Sequence, residues 1–458
     1  MRVTLSVPQD FLDALSAIGG IFYGAIKHRQ VTAICTDSRE CQDGDLFFAL
    51  SGENFNGNNF IYEAIQAGAI PVGPSVKTFG IKISSGNSAL LNFAKFYKKR
   101  LPHLCFTVAI TGSVGKTTTK EFLSVLSRER YKTHATWQNF NNEIGVPLTI
   151  LSAPLDTEVL ICELGMNHRG EIRQLSDTVE PDIAVITKIG TAHIGNLGSI
   201  QKIANAKLEI TSGLKGLLLL PYDEDLLKCN YPQIATHSAN NNNATVSTIK
   251  NQFGLLEIYV KRELTDILNF RFDGNHLYEC LAAAACAANV MKIPHRNIID
   301  GISKINNSNL RHQILKTPLE FYILDDSYNS SYESLLASFE LLSNLKGYSG
   351  KSVLLGDILE LGDQSETIHE AVGQMVAKYR FDNLFLIGEQ VYHIAESAIS
   401  NGFPKNKIFI NSDIHSPEIT SAYICQNMKP NEILLAKASH KMNLRRIINL
   451  ITGNQNEK

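Results

Sequence analysis

The sequence predicts an α/β protein of three domains, and three observations carry that expectation. Short β-branched and aliphatic runs alternate with helix-like stretches along nearly the whole chain, the pattern that builds parallel sheets with crossover helices. At 458 residues the chain is too long for one hydrophobic core. A glycine-containing turn, TGSVGKTTTKE at 111–121, follows the apolar run FTVAI at 106–110 and opens a helix.

The first block, 1–103, alternates the runs AIC at 33–35, DLFFAL at 45–50 and AIPVG at 69–73 with helical patterns such as FIYEAIQAGA. The basic, proline-containing KKRLPHL at 98–104 leads into the second block, 104–312. There FTVAI, EVLICEL, DIAVITKI and LLLLP read as strands of a mostly parallel sheet, and LAAAACAANVM at 281–291 reads as a buried helix. SANNNNAT at 238–245 is a polar loop. The third block, 313–458, repeats the alternation with FYILDDS, SVLLGD, LFLIG and EILLAK. Strands that end in acidic residues or glycine place polar groups at the carboxyl edge of a sheet, where open α/β folds bind ligands.

Composition narrows the function classes. Hydrophobic residues at 44% and charged residues at 19% argue against both disorder and a fibre. A net charge of -2, with no basic run longer than KKR at 98–100, leaves no electrostatic footprint for nucleic acid. The eight cysteines contain no C-x-x-C pair and read as reduced thiols of a cytoplasmic protein. MRVTLSVPQDFLDAL lacks a signal-peptide pattern, and no run reaches the roughly 18 apolar residues of a membrane span.

The turn at 111–121 carries the first chemistry. Gly112 and Gly115 let backbone amides approach an anion, and the helix opening at Lys116 aims its positive end at the same place. Ser113, Val114 and Thr118 complete a phosphate cradle in which Lys116 pairs with the phosphates and Thr117 gives its hydroxyl to Mg²⁺. The usual spacing fails, because Ile110 stands where the standard pattern has glycine. On this segment alone, a strand-to-helix turn with an exposed lysine is the competing reading. Glu163 ends the run EVLICE where a metal-holding carboxylate would sit, although a lone glutamate at a strand end is more often solvated.

The segments around the loop decide between these readings. TWQNFNNEIGVPLTIL at 136–151, ELGMNHRGEI at 163–172, TAHIGNLGSIQKIANAKLEI at 191–210, DDSYNSSYESL at 325–335 and GDILELGDQSETIHEAVG at 356–373 resemble the Mur ligases of bacterial cell-wall synthesis. The resemblance covers nearly the whole chain. Its DDSYN, GDILELG and N-x-NN-x-IG-x-P motifs favour the branch that joins D-alanyl-D-alanine to UDP-N-acetylmuramoyl-tripeptide. It implies a UDP-substrate-binding α/β domain, a central phosphate-loop ATPase domain and a C-terminal Rossmann-like domain. It also implies ATP-dependent ligation through an acyl phosphate, two Mg²⁺ ions and a monomer.

The resemblance assigns residues as well. Lys116, His193 and Lys207 would be catalytic, with Lys207 carried as a carbamate and His193 at a second Mg²⁺. Thr117, Glu163, His193 and Lys207 would serve the metals. Asn139, His276, Arg311, Asp326, Tyr328 and Asn329 would join the phosphate loop in binding ATP. Ser38 and Arg39 of TDSR, with Asn56 and Gly57, would meet the uridine-diphosphate sugar. Asn142, Asp357, Glu360, Lys437 and Ser439 would meet the rest of the substrates. Taken without the family, Arg39 and Lys207 read as solvated charges and His193 as a hydrogen-bonded histidine.

The chain also departs from the family pattern. Leu277 and Cys280 occupy the places of two asparagines that face adenine in H-N-x-x-N, so base recognition is expected to weaken. AKASH at 436–440 stands for K-G-S-R, Lys188 for an asparagine, and YES at 332–334 for proline-aspartate-serine. Two other readings remain: a sibling or polyglutamate-type ligase, against which DDSYN and GDILELG argue, and a nucleotide binder without turnover, against which Lys207 argues.

Overall fold

Each strand-rich block closes into its own sheet in the computed structural model, which describes residues 1–52, 55–272, 274–305 and 313–453. The first sheet runs, in spatial order, Arg2–Asp10, Gln30–Cys35, Leu46–Phe48, Ile70–Gly73, Gly80–Lys82 and Ile21–Tyr23. Its four middle strands are parallel and its two edges antiparallel. Ile34, Leu46, Phe48, Val72 and Phe93 form its core.

Among the described residues the central sheet has nine strands, and its order explains where a ligand can enter. Phe106–Thr111 lies between Val159–Glu163 and Ile183–Ile186, parallel to both. The chain leaves this first strand toward one side and returns on the other, so the carboxyl end of Phe106–Thr111 is the topological switch point, where adjoining loops part to leave a crevice. Thr133–Ala135 extends one flank, and Leu217–Pro221, Ile234–Ser238 and Val246–Lys250 extend the other, all parallel. All five residues of Val159–Glu163 are buried, as a strand covered on both faces requires. The helix His276–Val290 packs on the helix Lys116–Arg128, and its run of alanines permits that close approach.

An antiparallel hairpin, Leu256–Val260 and Glu263–Leu268, closes the far edge and was not foreseen in the sequence. Its two-residue turn is Lys261 and Arg262, at φ 50° and 74°. Such turns normally advertise themselves as Asn-Gly, so lysine and arginine there carry no signal.

The third sheet, in order Gln313–Lys316, Tyr322–Asp325, Ile433–Lys437, Lys351–Gly356, Leu384–Ile387 and Ile408–Asn411, is parallel except for its first strand. Asp326, Lys437 and Asp357 thereby come to its carboxyl edge. No helix among the described residues is long and apolar enough to cross a membrane.

Lys98 joins the first unit to the second. It is 6% exposed, and its Nζ donates to the carbonyls of Val179 and Glu180, the last of these at 3.2 Å. Glu180, at φ 42°, is ringed by Lys95, Lys99 and Lys215 at 3.2–3.5 Å. Burial, reinforced by Lys215, lowers the Lys98 amine to about 8. An unfolded lysine titrates near about 10.4, so between these values only the unfolded chain holds the proton. Stability is therefore expected to rise with pH across that window and to be flat below it. Lys98→Met should flatten the rise, as urea unfolding at a series of pH values will show.

Candidate active site

The strand Phe106–Thr111 delivers the chain to a loop that only glycine can build. Gly112 has φ 148°, and a Cβ there would lie 2.0 Å from Thr187 Oγ1. That hydroxyl donates to the Val114 carbonyl at 2.6 Å, and Ser113 N donates to the Lys188 carbonyl at 2.7 Å. The loop is thus fastened to the end of the neighbouring strand. Gly115, at φ 87°, begins the helix Lys116–Arg128. Lys116 Nζ turns back onto the Gly112 and Ser113 carbonyls at 2.8 and 3.4 Å.

Glu163 ends its strand 1% exposed, and both carboxylate oxygens are engaged. Thr117 Oγ1 donates to one at 2.8 Å and Asn141 Nδ2 to the other at 2.9 Å. A hydroxyl and a carboxylate are hard oxygen donors of the kind Mg²⁺ takes, so the pair fits that ion. No cluster of three or more His, Cys, Asp or Glu side chains that could hold a metal occurs among the described residues. Mg²⁺ would then complete its shell with phosphate and water, as it commonly does.

Lys207, on the helix Ile200–Leu208, is 1% exposed. Burial pushes its amine well below the ordinary lysine value, Lys116 adds to the shift, and Glu171 and Glu163 oppose it. The shift is toward the neutral, nucleophilic form of the amine.

His193, at φ 65°, precedes the short helix Ile194–Leu197. Its Nδ1 lies 2.5 Å from Glu360 Oε2 in the third unit, which holds that carboxyl below its usual range. Beside it, Gly195 N donates to the Glu360 carbonyl at 2.9 Å, and a Cβ on Gly195 would stand 2.5 Å from Gly362 N. Opposite, Lys437 Nζ pairs with Asp326 Oδ2 at 2.6 Å, and Ser338 Oγ donates to the same oxygen at 2.5 Å.

Of these groups, Lys116, Thr117, Asn141, Glu163, His193, Asp326, Ser338 and Lys437 line one cavity of about 300 Å³ between the second and third units, while Lys207 and Glu360 are not among its lining residues. Ser113, Val114, Gly115, Lys116, Thr117 and Thr118 form one wall, with Glu163, His193 and His276 beside them. Asp326, Tyr328, Asn329 and Lys437 face them from the third unit. A neighbouring cavity of about 800 Å³ shares Thr117, Asp326 and Tyr328 and takes in Asn139. Trp137, two residues before Asn139, is 61% exposed with its ring edge-on to Phe140.

Other expected residues stand elsewhere. Asn142 Oδ1 accepts from Ile144 N and Gly145 N at the start of the helix Gly145–Leu151. Asp357 accepts from the amides of Glu389, Gln390 and Val391, and Ser439 Oγ from Leu359 N. In the first unit Ser38 donates to Glu63, Arg39 pairs with Asp37, and Asn56 Oδ1 accepts from Asn58. Gly57 has no room for a Cβ against the Leu50 carbonyl, 2.6 Å away. Arg311 lies outside the described residues.

Leu277 is core, and Cys280 Sγ sits 3.7 Å from the Gly115 carbonyl, beneath the phosphate loop. Asn275 turns away from the loop to Glu340 of the third unit, at 2.5 Å. The sequence reading missed Lys120, which is 1% exposed and donates to the Thr136 carbonyl at 2.7 Å, and it missed Thr187. Both donate to backbone carbonyls, which leave no residue pattern to recognise, and Lys120 also pairs with Glu121 at 2.7 Å.

Two family descriptions match the chain, the Mur ligase middle domain over 110–288 and the Mur ligase family catalytic domain over 30–94. A UDP-N-acetylmuramoyl-tripeptide--D-alanyl-D-alanine ligase of Bacillus subtilis (strain 168) is 33% identical across 91% of this chain and 92% of its own length. MurF of Acinetobacter baumannii superposes with a TM-score of 0.83 at 25% identity, covering 99% of this chain and 100% of that one. MurF ligase of Thermotoga maritima, solved in complex with ADP, shares the fold with a TM-score of 0.77 at 24% identity, over 92% and 97% of the two chains. The chain belongs to the Mur ligase family.

Gly112→Ala tests the loop. A left-handed φ together with the clash against Thr187 should cost about 1–3 kcal/mol of stability, read from denaturant unfolding, and should weaken ATP binding measured by calorimetry.

Proposed function

We propose that this chain is the ATP-dependent ligase that joins D-alanyl-D-alanine to UDP-N-acetylmuramoyl-tripeptide, forming the pentapeptide precursor of peptidoglycan. The observation that carries this reading is the single cavity in which the phosphate loop, the Thr117–Glu163 pair and His193 face Asp326 and Lys437. Near-full-length likeness to relatives bearing that name supports the choice of substrates.

A carboxylate is a poor electrophile. In the proposed reaction its oxygen attacks the γ-phosphorus of ATP, ADP leaves, and an acyl phosphate results. The dipeptide amine then attacks the acyl carbon, loses a proton and expels phosphate. Positioning and charge neutralisation are the protein's share of such a transfer. Lys116 would exchange its two loop carbonyls for phosphate oxygens. Thr117 and Glu163 would hold Mg²⁺, which neutralises charge across the phosphates when bound. With Nδ1 engaged by Glu360, His193, which lines the cavity, would have Nε2 left to hold a second ion. The neutral amine of Lys207 can add to CO₂ and lose a proton, giving a carbamate, an anion in place of a cation near the metals.

The division of labour follows: residues 1–103 for the UDP-sugar through Ser38, Arg39, Asn56 and Gly57, 104–312 for ATP and metals, and 313–458 for ribose through Asp326 and for the dipeptide near Asp357, Glu360, Lys437 and Ser439. A monomer in the cytoplasm accords with soluble nucleotide-linked substrates.

Purified protein with ATP, Mg²⁺, UDP-N-acetylmuramoyl-tripeptide and D-alanyl-D-alanine should release phosphate and form the pentapeptide. Release of phosphate only with a single amino acid would point to a sibling ligase, and none with either would refute ligation. Lys207→Ala should abolish turnover, keep ATP binding, and lose the carbamate carbon signal that ¹³C-bicarbonate gives the wild type in NMR.

A further inference from the structure

The helix Tyr332–Asn344 of the third unit reaches the second unit at two places. Near its start, Glu333 accepts from both donors of Thr191, the backbone amide at 2.8 Å and the hydroxyl at 3.1 Å. Two turns on, Glu340 accepts from Asn275 Nδ2 at 2.5 Å. Seven residues separate the two glutamates, so they share one face of the helix. Ser334, Ala337 and Ser338, between them, line the cavity that holds the phosphate loop.

Both contacts fall on segments that carry site residues. Thr191 is two residues before His193, and Asn275 immediately precedes His276. Gly190 provides the room: a Cβ there would stand 2.6–2.9 Å from the Glu333 carboxylate. His193, held at a left-handed φ, needs its loop fixed from outside, and the Thr191 amide is donated across units to a charged acceptor.

We propose that Glu333 is a positioning residue for ligation. When the third unit closes on the second, its carboxylate seizes the Thr191 amide and hydroxyl and so sets the loop that presents His193. Glu340 fixes the start of the His276 helix in the same movement. Nucleotide binding and placement of His193 are thereby coupled through one helix. The proposal rests on the ligase reading for its kinetic consequences, while its structural consequence stands without substrates.

The test compares wild type with Glu333→Gln, which keeps the shape but presents an amide nitrogen to one of two donors, and with Gly190→Ala, which displaces the carboxylate. In each variant, exchange of the backbone amides at 189–195 should quicken about tenfold or more with the ATP analogue bound, at unchanged thermal stability. Turnover should fall about tenfold to a hundredfold, with the KM for ATP changed far less. The double variant should lose no more than the stronger single one, because both remove the same interaction. Unchanged exchange in Glu333→Gln, or additive losses in the double variant, would overturn the proposal. Absence of turnover in the wild type would instead refute the ligase reading and leave the exchange result to judge the latch.

Discussion

A buried carboxylate at the switch point of the central sheet sets the terms for everything around it. Glu163 sits where burial of a charge is costly unless every oxygen finds a donor. Thr117 and Asn141 supply those donors, which requires the phosphate loop to run directly over the strand end and the asparagine turn to fold back beside it. The loop can take that course because Gly112 and Gly115 leave no Cβ in the way of Thr187 and Cys280. Removing the negative charge would thus disturb the cradle itself.

The third unit completes this arrangement from outside. Its contributions are short and polar: Glu360 to His193, Glu333 to Thr191, Glu340 to Asn275. Inter-unit contacts made of a few hydrogen bonds, with cavities between them, suit an interface that must open to admit substrates and close to exclude water from an acyl phosphate. The first unit is attached differently. Lys98 is buried against the end of a helix of the second unit, a firmer junction.

The strands are legible in the sequence, because parallel strands advertise themselves as apolar runs. FTVAI, VLICE, IAVI and ILLAK appear as strands where the pattern put them. The phosphate loop, Glu163, His193 and Asp326, each at a strand end or in a turn with a distinctive motif, line one cavity. What stayed hidden was what depends on the partner across a gap. Of three neighbouring asparagines, no pattern distinguishes Asn141, which reaches Glu163, from Asn142, which caps a helix. Asp357 looked like a ligand-facing acid at a strand end, yet it holds three backbone amides of a following helix. Glu333 showed only as part of YES at 332–334, a departure from the family pattern, since its partner Thr191 lies 142 residues away in sequence. Cys280 appeared only as a missing asparagine, and its place under Gly115 shows a thiol filling volume beneath the loop.

Trp137 immediately precedes Gln138 and Asn139, which line the larger cavity, and it is the only tryptophan in the chain. Its indole is open to water while the residues that follow it, Gln138 and Asn139, line the space between the second and third units. A molecule so built carries its own optical gauge: emission from this indole comes from one corner of the cleft alone, with no background from elsewhere. A change at the cleft beside Gln138 and Asn139 therefore has a single indole next to it to register by fluorescence in the unlabelled protein.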